Sequence, residues 1–133
     1  MLRICTLRNN ITNIRQKRTM NTEQQEYISL INRSAPDDIL IKKTGWEEIN
    51  LQGHAHKKFQ IIYTLSGTLH VETEGANYFV PEKHIAWIPE NASHKLSSNS
   101  RQVSLIIFYV TLNVTPDDSK SRFSIYSTNA IIA

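Results

Sequence analysis

Two stretches of the chain decide its fold, and both contain histidine: Gly53-His54-Ala55-His56-Lys57-Lys58-Phe59-Gln60 and Pro89-Glu90-Asn91-Ala92-Ser93-His94. Side chains alternate between the two faces of an extended strand, so His54 and His56 point to the same side. Gln60 and His94 supply an amide and a third imidazole. We expect these four side chains to meet in one pocket, which could bind a metal ion or a small polar ligand.

Short apolar runs separated by turn residues fill most of the chain after Pro36. The run 68–74 alternates apolar and polar residues, which is the pattern of a half-buried strand. Further strands are predicted at 39–41, 46–52, 60–65, 77–80, 84–88, from His94 onward, at 103–112 and at 122–126. Short strands at such close spacing predict an all-β fold, either an antiparallel barrel or a jelly roll.

One short helix is predicted before these strands. Thr22 and Gln25 have the spacing of a capping box, in which two side chains bond to the backbone at the start of a helix. An apolar face with helical spacing follows at Tyr27, Leu30 and Ile31. The turn-forming sequence 32–36 predicts where this helix ends.

The 133 residues are enough for one domain with a single modest core. Five Lys and Arg residues but no Asp or Glu precede Met20, so we interpret 1–20 as a basic flexible leader. A basic arm for DNA is the other interpretation of this segment, and Met20 is an alternative start. Residues 21–112 are predicted to hold the helix and the barrel, and 113–133 form a C-terminal segment.

The composition of the chain limits the kinds of molecule and compartment that we expect for this protein. From Met20 onward there are 10 basic and 12 acidic residues, so the pI near 9.1 does not indicate that the barrel binds nucleic acid. The single cysteine, Cys5, excludes an intramolecular disulfide and is typical of a reducing compartment. No run approaches the ~20 apolar residues of a membrane helix. We therefore predict a cytoplasmic protein without a membrane partner.

A divalent metal such as Zn, Ni, Fe or Mn is one candidate occupant of the pocket, with ligands His54, His56, Gln60 and His94. Imidazole nitrogens suit these ions, but Gln60 offers a neutral carbonyl oxygen where a carboxylate would supply a negative charge. The alternative is a set of hydrogen-bonded histidines that hold no metal. No catalytic residue is predicted, because the common nucleophile and phosphate-binding motifs do not occur in the sequence.

A small polar metabolite is the other candidate occupant. Imidazoles and amides bind hydroxyls and carboxylates, and barrel mouths commonly hold such ligands. Tyr63 and Trp87 could add aromatic walls to the pocket, so we place them beside His54, His56, Gln60 and His94 as candidate ligand-binding residues. The alternative for Tyr63 and Trp87 is core packing.

The two histidine stretches resemble the two motifs of the cupin family. Gln60 stands where the first motif has its acidic residue, and Gly67 follows at the expected distance. Asn91 stands at the glycine of the second motif, and asparagine also tolerates positive φ. The resemblance implies a double-stranded β-helix, which is a jelly-roll barrel, here with one short N-terminal helix.

More narrowly, residues 36–133 are similar to the N-terminal sensor domain of AraC-type transcription regulators. The similar segments are 54–63 with Ser66-Gly67, then 78–81, 84–89 and His94. The tail, 123–126 and 129–132, resembles the lead into the linker helix before two helix-turn-helix motifs.

This resemblance implies a small-molecule effector, a homodimer, and DNA binding only through a C-terminal domain that the chain lacks. We therefore expect a regulatory fragment that binds no specific operator by itself. Two alternatives remain open: a small metal-dependent cupin enzyme, such as a dioxygenase or isomerase, and a carbohydrate-binding cupin without a regulatory role.

Overall fold

The computed structural model describes residues 3–6, 22–112 and 122–128, and its helix and strands follow one another as separate short elements. Their bounds are β1 Arg3–Thr6, α1 Thr22–Arg33, β2 Asp38–Lys43, β3 Glu47–His54, β4 Phe59–Ser66, β5 Thr68–Thr73, β6 Asn77–Pro81, β7 His84–Ile88, β8 His94–Val110 and β9 Ser124–Ser127. The prediction of an all-β fold with one short N-terminal helix is confirmed over 22–112.

The strands form two sheets that share β8. The first sheet has the order β1-β2-β8-β4-β7-β9, and in the second β8 lies between β3 and β5, with β6 beyond β5. Every pairing except β1 with β2 is antiparallel. Two sheets joined in this way form the jelly-roll barrel of the cupin fold.

Helix α1 begins and ends where the sequence predicts. Its apolar face buries Ile28 and Ile31, and Ile31 joins the core of the barrel. The helix ends where the Ser34 backbone N–H and hydroxyl both donate to the Ile31 carbonyl. Asp38 accepts a hydrogen bond from the Ala35 backbone N–H and so fixes the turn into β2. The capping of helix-terminal carbonyls explains the sharp end. No helix of the described residues is both long and apolar enough to span a membrane.

The core lies between the two sheets and comes from alternate residues of each strand. Its members are buried aliphatic side chains together with Tyr109: Ile31, Leu40, Ile49, Leu51, Ile62, Leu69, Val71, Val80, Ala86, Ile88, Leu96, Val103, Leu105, Ile107 and Tyr109. Burying one large aliphatic side chain stabilises a fold by about 1.5–3 kcal/mol, so this core is the main source of stability.

Strand β8 is longer than predicted, because the expected runs from His94 and over 103–112 form one strand of 17 residues. Asn99 and Ser100 have φ of 54° and 64° and bend the strand. The Asn99 backbone N–H donates to the Ser97 hydroxyl at 2.9 Å, which supports this bend. The polar sequence there resembles a turn, yet the strand continues through it.

The predicted segments at the two ends lie mostly outside the described residues. Within the leader 1–20, however, Arg3–Thr6 pairs with β2, from Arg3 opposite Asp38 to Thr6 opposite Ile41. These four residues therefore form a strand beside β2, because a sheet edge can pair with a backbone whatever its side-chain pattern. Of the C-terminal segment 113–133, only 122–128 is described, and it contains β9.

Candidate ligand-binding site

The three histidines predicted to converge do lie together. His54 ends β3 and His94 begins β8, and these two residues are direct partners across the sheet. Their ring centroids are 4.4 Å apart, and His56 lies 5.6 Å from His54 and 5.0 Å from His94. All three side chains are buried, and one nitrogen of each lies within 4.8 Å of the others. We call His54, His56 and His94 the histidine cluster.

Backbone carbonyls hold two of these rings in place. His56 Nδ1 donates to the Lys58 carbonyl at 2.9 Å, and His94 Nδ1 donates to the Ala92 carbonyl at 2.8 Å. A carbonyl can only accept, so both Nδ1 atoms carry the ring proton. Asn91, at φ 60°, donates its backbone N–H to the His56 carbonyl at 2.7 Å. Asparagine at the glycine position of the motif therefore ties the two histidine stretches together.

Gln60 joins the histidine cluster to two tyrosines. The side chain is fully buried, with one end of its amide 2.9 Å from His56 Nε2 and the other end 3.3 Å from the Tyr109 hydroxyl. Because Nε2 of the neutral ring can only accept, the amide N–H donates to it. The Tyr109 hydroxyl in turn shares a short hydrogen bond with the hydroxyl of Tyr27 on α1. A continuous hydrogen-bonded chain therefore runs from helix α1 to the ring of His56.

Helix α1 covers the histidine end of the barrel. The Gln24 amide nitrogen lies 3.4 Å from His54 Nδ1 and donates to it. Asn32, further along the helix, accepts the Lys57 backbone N–H at 2.9 Å. The ammonium of Lys42 lies 5.0 Å from the centre of the Tyr27 ring. The helix thus contacts the histidine segment at both of its ends.

Burial keeps the titratable groups of the site uncharged. It lowers the pKa of His94 to about 3, and nearby His54 and His56 add to this effect. Burial also lowers the pKa of His56 and raises the pKa of Tyr27 and Tyr109. Desolvation disfavours the charged form of each group. At neutral pH the imidazoles of His56 and His94 are therefore neutral.

One acceptor of the cluster has no partner within the described residues. His94 Nε2 is buried and makes no hydrogen bond, while the proton of this ring sits on Nδ1. A buried acceptor without a donor costs about 1–3 kcal/mol, so it is unusual in a folded protein. A surface cleft of ≈ 370 Å³ opens beside this residue and is lined by Gly53, Glu72, Thr73, Glu74, Ser93, His94 and Lys95. His94 therefore borders a surface cleft, while the lone pair of its Nε2 atom lies buried among the rings of the histidine cluster.

The structure does not bring Tyr63 and Trp87 to the cluster. Gln60 and Tyr63 are three residues apart on β4, so they face opposite sides of the sheet. Trp87 pairs with Ile61 and packs on Phe59, with ring centroids 5.4 Å apart. Tyr63 and Trp87 therefore lie apart from the histidine cluster, and their ligand-binding role stays a prediction.

Sequence reasoning missed Gln24, Tyr27 and Tyr109 as members of the site. The sequence pattern predicts only an apolar helix face for Tyr27 and only a strand for Tyr109. The spacing of Gln24 and Tyr27 places them on one helix face, which is a usable signal. Nothing local indicates that this face meets the histidine cluster.

One family model matches more than half of the chain. Residues 47–120 match the family model described as the AraC-like ligand binding domain. The chain belongs to this family. The match starts at the first residue of β3 and takes in Gln60 and all three histidines of the cluster.

Solved structures resemble this AraC-like ligand binding domain only distantly. They include a putative glyoxylate-induced protein from Pseudomonas aeruginosa, with 11% identity, TM-score 0.46, and coverage of 53% of this chain and 27% of that one. ToxT from Vibrio cholerae with bound unsaturated fatty acid has 10% identity, TM-score 0.49, and coverage of 71% and 43%. An RmlC-like cupin from Shewanella frigidimarina has 19% identity, TM-score 0.46, and coverage of 56% and 68%.

The AraC-like domain spans 27% and 61% of the first two solved chains it matches. No curated protein matches the chain in sequence.

A divalent metal fits the cluster in geometry but not in charge. Three imidazoles converge, yet within the described part of the chain no carboxylate joins them as a ligand. A buried divalent ion would then keep its full charge among neutral donors, which is unfavourable in a low-dielectric site. A neutral hydrogen-bond donor suits the free nitrogen of His94 better.

Proposed function

We propose that this AraC-like domain senses a small, uncharged polar metabolite for a transcription regulator and is not itself an enzyme. The observation that carries the proposal is the buried His94 Nε2 atom, which has no hydrogen-bond donor in the described structure. A ligand hydroxyl or N–H group would supply that donor. Family membership supports a ligand-binding role for the domain, and the matched range includes His94.

The chemistry of the cluster favours an uncharged ligand. His56, Gln60 and His94 offer polar atoms but no formal charge at neutral pH. A carboxylate or ammonium buried against them would lose its hydration without gaining a counter-ion, and this desolvation is costly. A hydroxyl loses less hydration and can both donate and accept.

Ligand binding would bias the position of helix α1. Gln24 and Tyr27 reach the site from that helix, so a ligand that displaces or strengthens their hydrogen bonds shifts the balance between helix positions. In this proposal the shift is read by a homodimer and by a DNA-binding domain elsewhere in the regulator, within the cytoplasm.

A binding screen on the metal-free chain tests the proposal. The probes are neutral polyols and monosaccharides, each paired with a carboxylate and an amine analogue, and binding is measured by calorimetry and thermal shift. We expect a neutral probe to stabilise the fold by about 2.7 kcal/mol at 100 times its Kd. His94→Ala should abolish binding, whereas His70→Ala, which removes a ring stacked on Phe79, should not. Binders that are all charged, or that bind His94→Ala equally well, would refute the proposal.

The convergence of three imidazoles favours a second candidate, a metal-dependent cupin enzyme. Elemental analysis of the purified chain separates the two. Stoichiometric Zn, Ni, Fe or Mn that is lost in His54→Ala would favour the enzyme.

A further inference from the structure

We propose that Gln60 excludes divalent metal from the histidine cluster and so reserves the site for a neutral ligand. The inference deepens the proposed function because it concerns the same site. It makes Gln60 the residue that determines which class of ligand binds, and it departs from the expectation that Gln60 is itself a metal ligand.

The first argument is that Gln60 occupies the nitrogen a metal would need. Nδ1 of His56 is committed to the Lys58 carbonyl, so only Nε2 could face a metal. Nε2 lies 2.9 Å from the Gln60 amide. Because Nδ1 carries the proton of the neutral ring, Nε2 holds a lone pair, and the Gln60 amide N–H that donates to it already uses that lone pair. His56 therefore cannot coordinate an ion until its bond to Gln60 breaks.

The second argument is that the amide is not free to turn. Gln60 is fully buried, and its other end lies 3.3 Å from the Tyr109 hydroxyl. That hydroxyl is bonded to Tyr27, which belongs to helix α1. Turning the amide to offer its oxygen to a metal would break bonds to both His56 and Tyr109 in a buried site, where no water replaces them.

The third argument is charge. A glutamate at position 60 would have almost the same shape as Gln60 but would supply a negative charge that strengthens the binding of a divalent ion. The Gln24 amide also holds His54 Nδ1, so two of the three imidazoles are engaged by neutral amides. Only His94 offers a lone pair without a partner in the described residues, and one nitrogen does not hold a divalent ion.

The direction in which one substitution changes Co²⁺ affinity tests the proposal directly. Gln60→Leu has a similar volume but cannot bond to His56. If Gln60 blocks the metal, this variant should bind Co²⁺ more tightly than the original chain, as seen in visible d–d absorption during titration. If Gln60 is a ligand, the variant should bind Co²⁺ more weakly. Tighter binding in the original chain would overturn the proposal.

A second variant measures the charge effect. Gln60→Glu should raise Co²⁺ affinity by about 10- to 100-fold, the range typical of groups that tune metal sites. Adding His94→Ala should remove that gain, which assigns it to the cluster. Gln102→Glu is the matched control, because it adds the same charge at an exposed position and should leave affinity unchanged.

Circular dichroism and thermal unfolding of every variant establish that it is folded before titration. If Gln60→Glu does not fold, the Gln60→Leu result and the titration of the original chain still decide. Stoichiometric Co²⁺ in the original chain, lost in His94→Ala, would overturn the inference. That outcome is distinct from a failure of the proposed function, which would be an absence of neutral binders to metal-free protein.

Discussion

Two neighbouring layers inside the barrel are built from the same three strands and stabilised in different ways. Gln60, Ile88 and Tyr109 are register partners across β4, β7 and β8, and we call them the polar layer. Two residues further along, Ile62, Ala86 and Ile107 are also register partners, and we call them the apolar layer. All six side chains are almost fully buried.

The difference between the layers shows how one barrel can divide two tasks. The apolar layer stabilises the fold, and the polar layer offers groups that can recognise a ligand. Packing in the apolar layer is non-directional, and its contribution follows the area removed from water. Gln60 and Tyr109 of the polar layer instead contribute through directional bonds that a ligand can exchange. A single buried barrel can therefore keep one layer fixed while the adjacent layer binds.

The largest effect is expected in the apolar layer. Ile62→Ala removes a fully buried side chain and should lower the free energy of unfolding by about 2–5 kcal/mol, because it leaves a cavity. Urea denaturation measures this loss. Ile61→Ala, on the opposite and half-buried face, is the matched control and should cost less. Equal losses would remove the distinction between the two faces of β4.

A second effect extends the comparison to the far end of β4. Gly67 has φ 81°, and a Cβ there would lie 2.6 Å from the Gln102 carbonyl oxygen. Gly67→Ala should therefore cost about 1–3 kcal/mol, since both the backbone and its neighbour are strained. Thermal unfolding provides the measurement, and Gly75→Ala, where no atom lies within 4 Å, is the control. A loss no larger than in the control would show that the turn adapts.

A third effect concerns how the free energy of unfolding depends on pH. It is expected for the histidine cluster, which lies beside the polar layer, and not for the apolar layer. The pKa of His94 is about 3 in the folded chain against 6.5 when unfolded, so between these values only the unfolded chain takes up the proton. The His94 contribution is complete above pH 6.5 and should fall by up to about 1.4 kcal/mol per pH unit as pH decreases toward 3. Urea midpoints at several pH values measure it, with His94→Gln as reference. If the free energy of unfolding changes with pH equally in the original chain and in His94→Gln, this assignment is refuted.

The last effect is expected for one hydroxyl of the polar layer. Tyr109→Phe removes the link between Gln60 and Tyr27 and should cost about 1–3 kcal/mol, because it leaves a buried polar group without its partner. The same variant should alter ligand affinity more than stability, because the ring keeps its packing. Calorimetry alongside urea denaturation compares the two, and a change in stability alone would contradict the division between layers.

The sequence predicts the meeting of the histidines better than it predicts the walls around them. His54 and His56 follow from the two-residue alternation of a strand, and His94 from a motif that fixes a turn. The same alternation puts Tyr63 and Gln60 on opposite faces of β4. The sequence alone therefore indicates that these two side chains do not share one pocket. Trp87 lies between Ala86 and Ile88, and an apolar run of this kind does not indicate which side faces inward.

The contacts that helix α1 makes at the histidine cluster could not be predicted from the local sequence pattern. Gln24 lies 30 residues from His54, and Tyr27 lies 82 residues from Tyr109. Contacts at such separation depend on how the helix docks on the closed barrel, which is a property of the whole fold. Helix propensity and capping determine where α1 begins and ends, but not which residues it meets.

The bend in β8 has a consequence for how the molecule loses its structure. One strand supplies the hydrogen-bond ladder of both sheets, so neither sheet can open while the other stays intact. Partial opening at the sheet junction would unzip the ladders on both sides of Asn99 and Ser100. The barrel should therefore melt in a single all-or-none transition, and the slowest-exchanging amides should lie on both arms of this one strand.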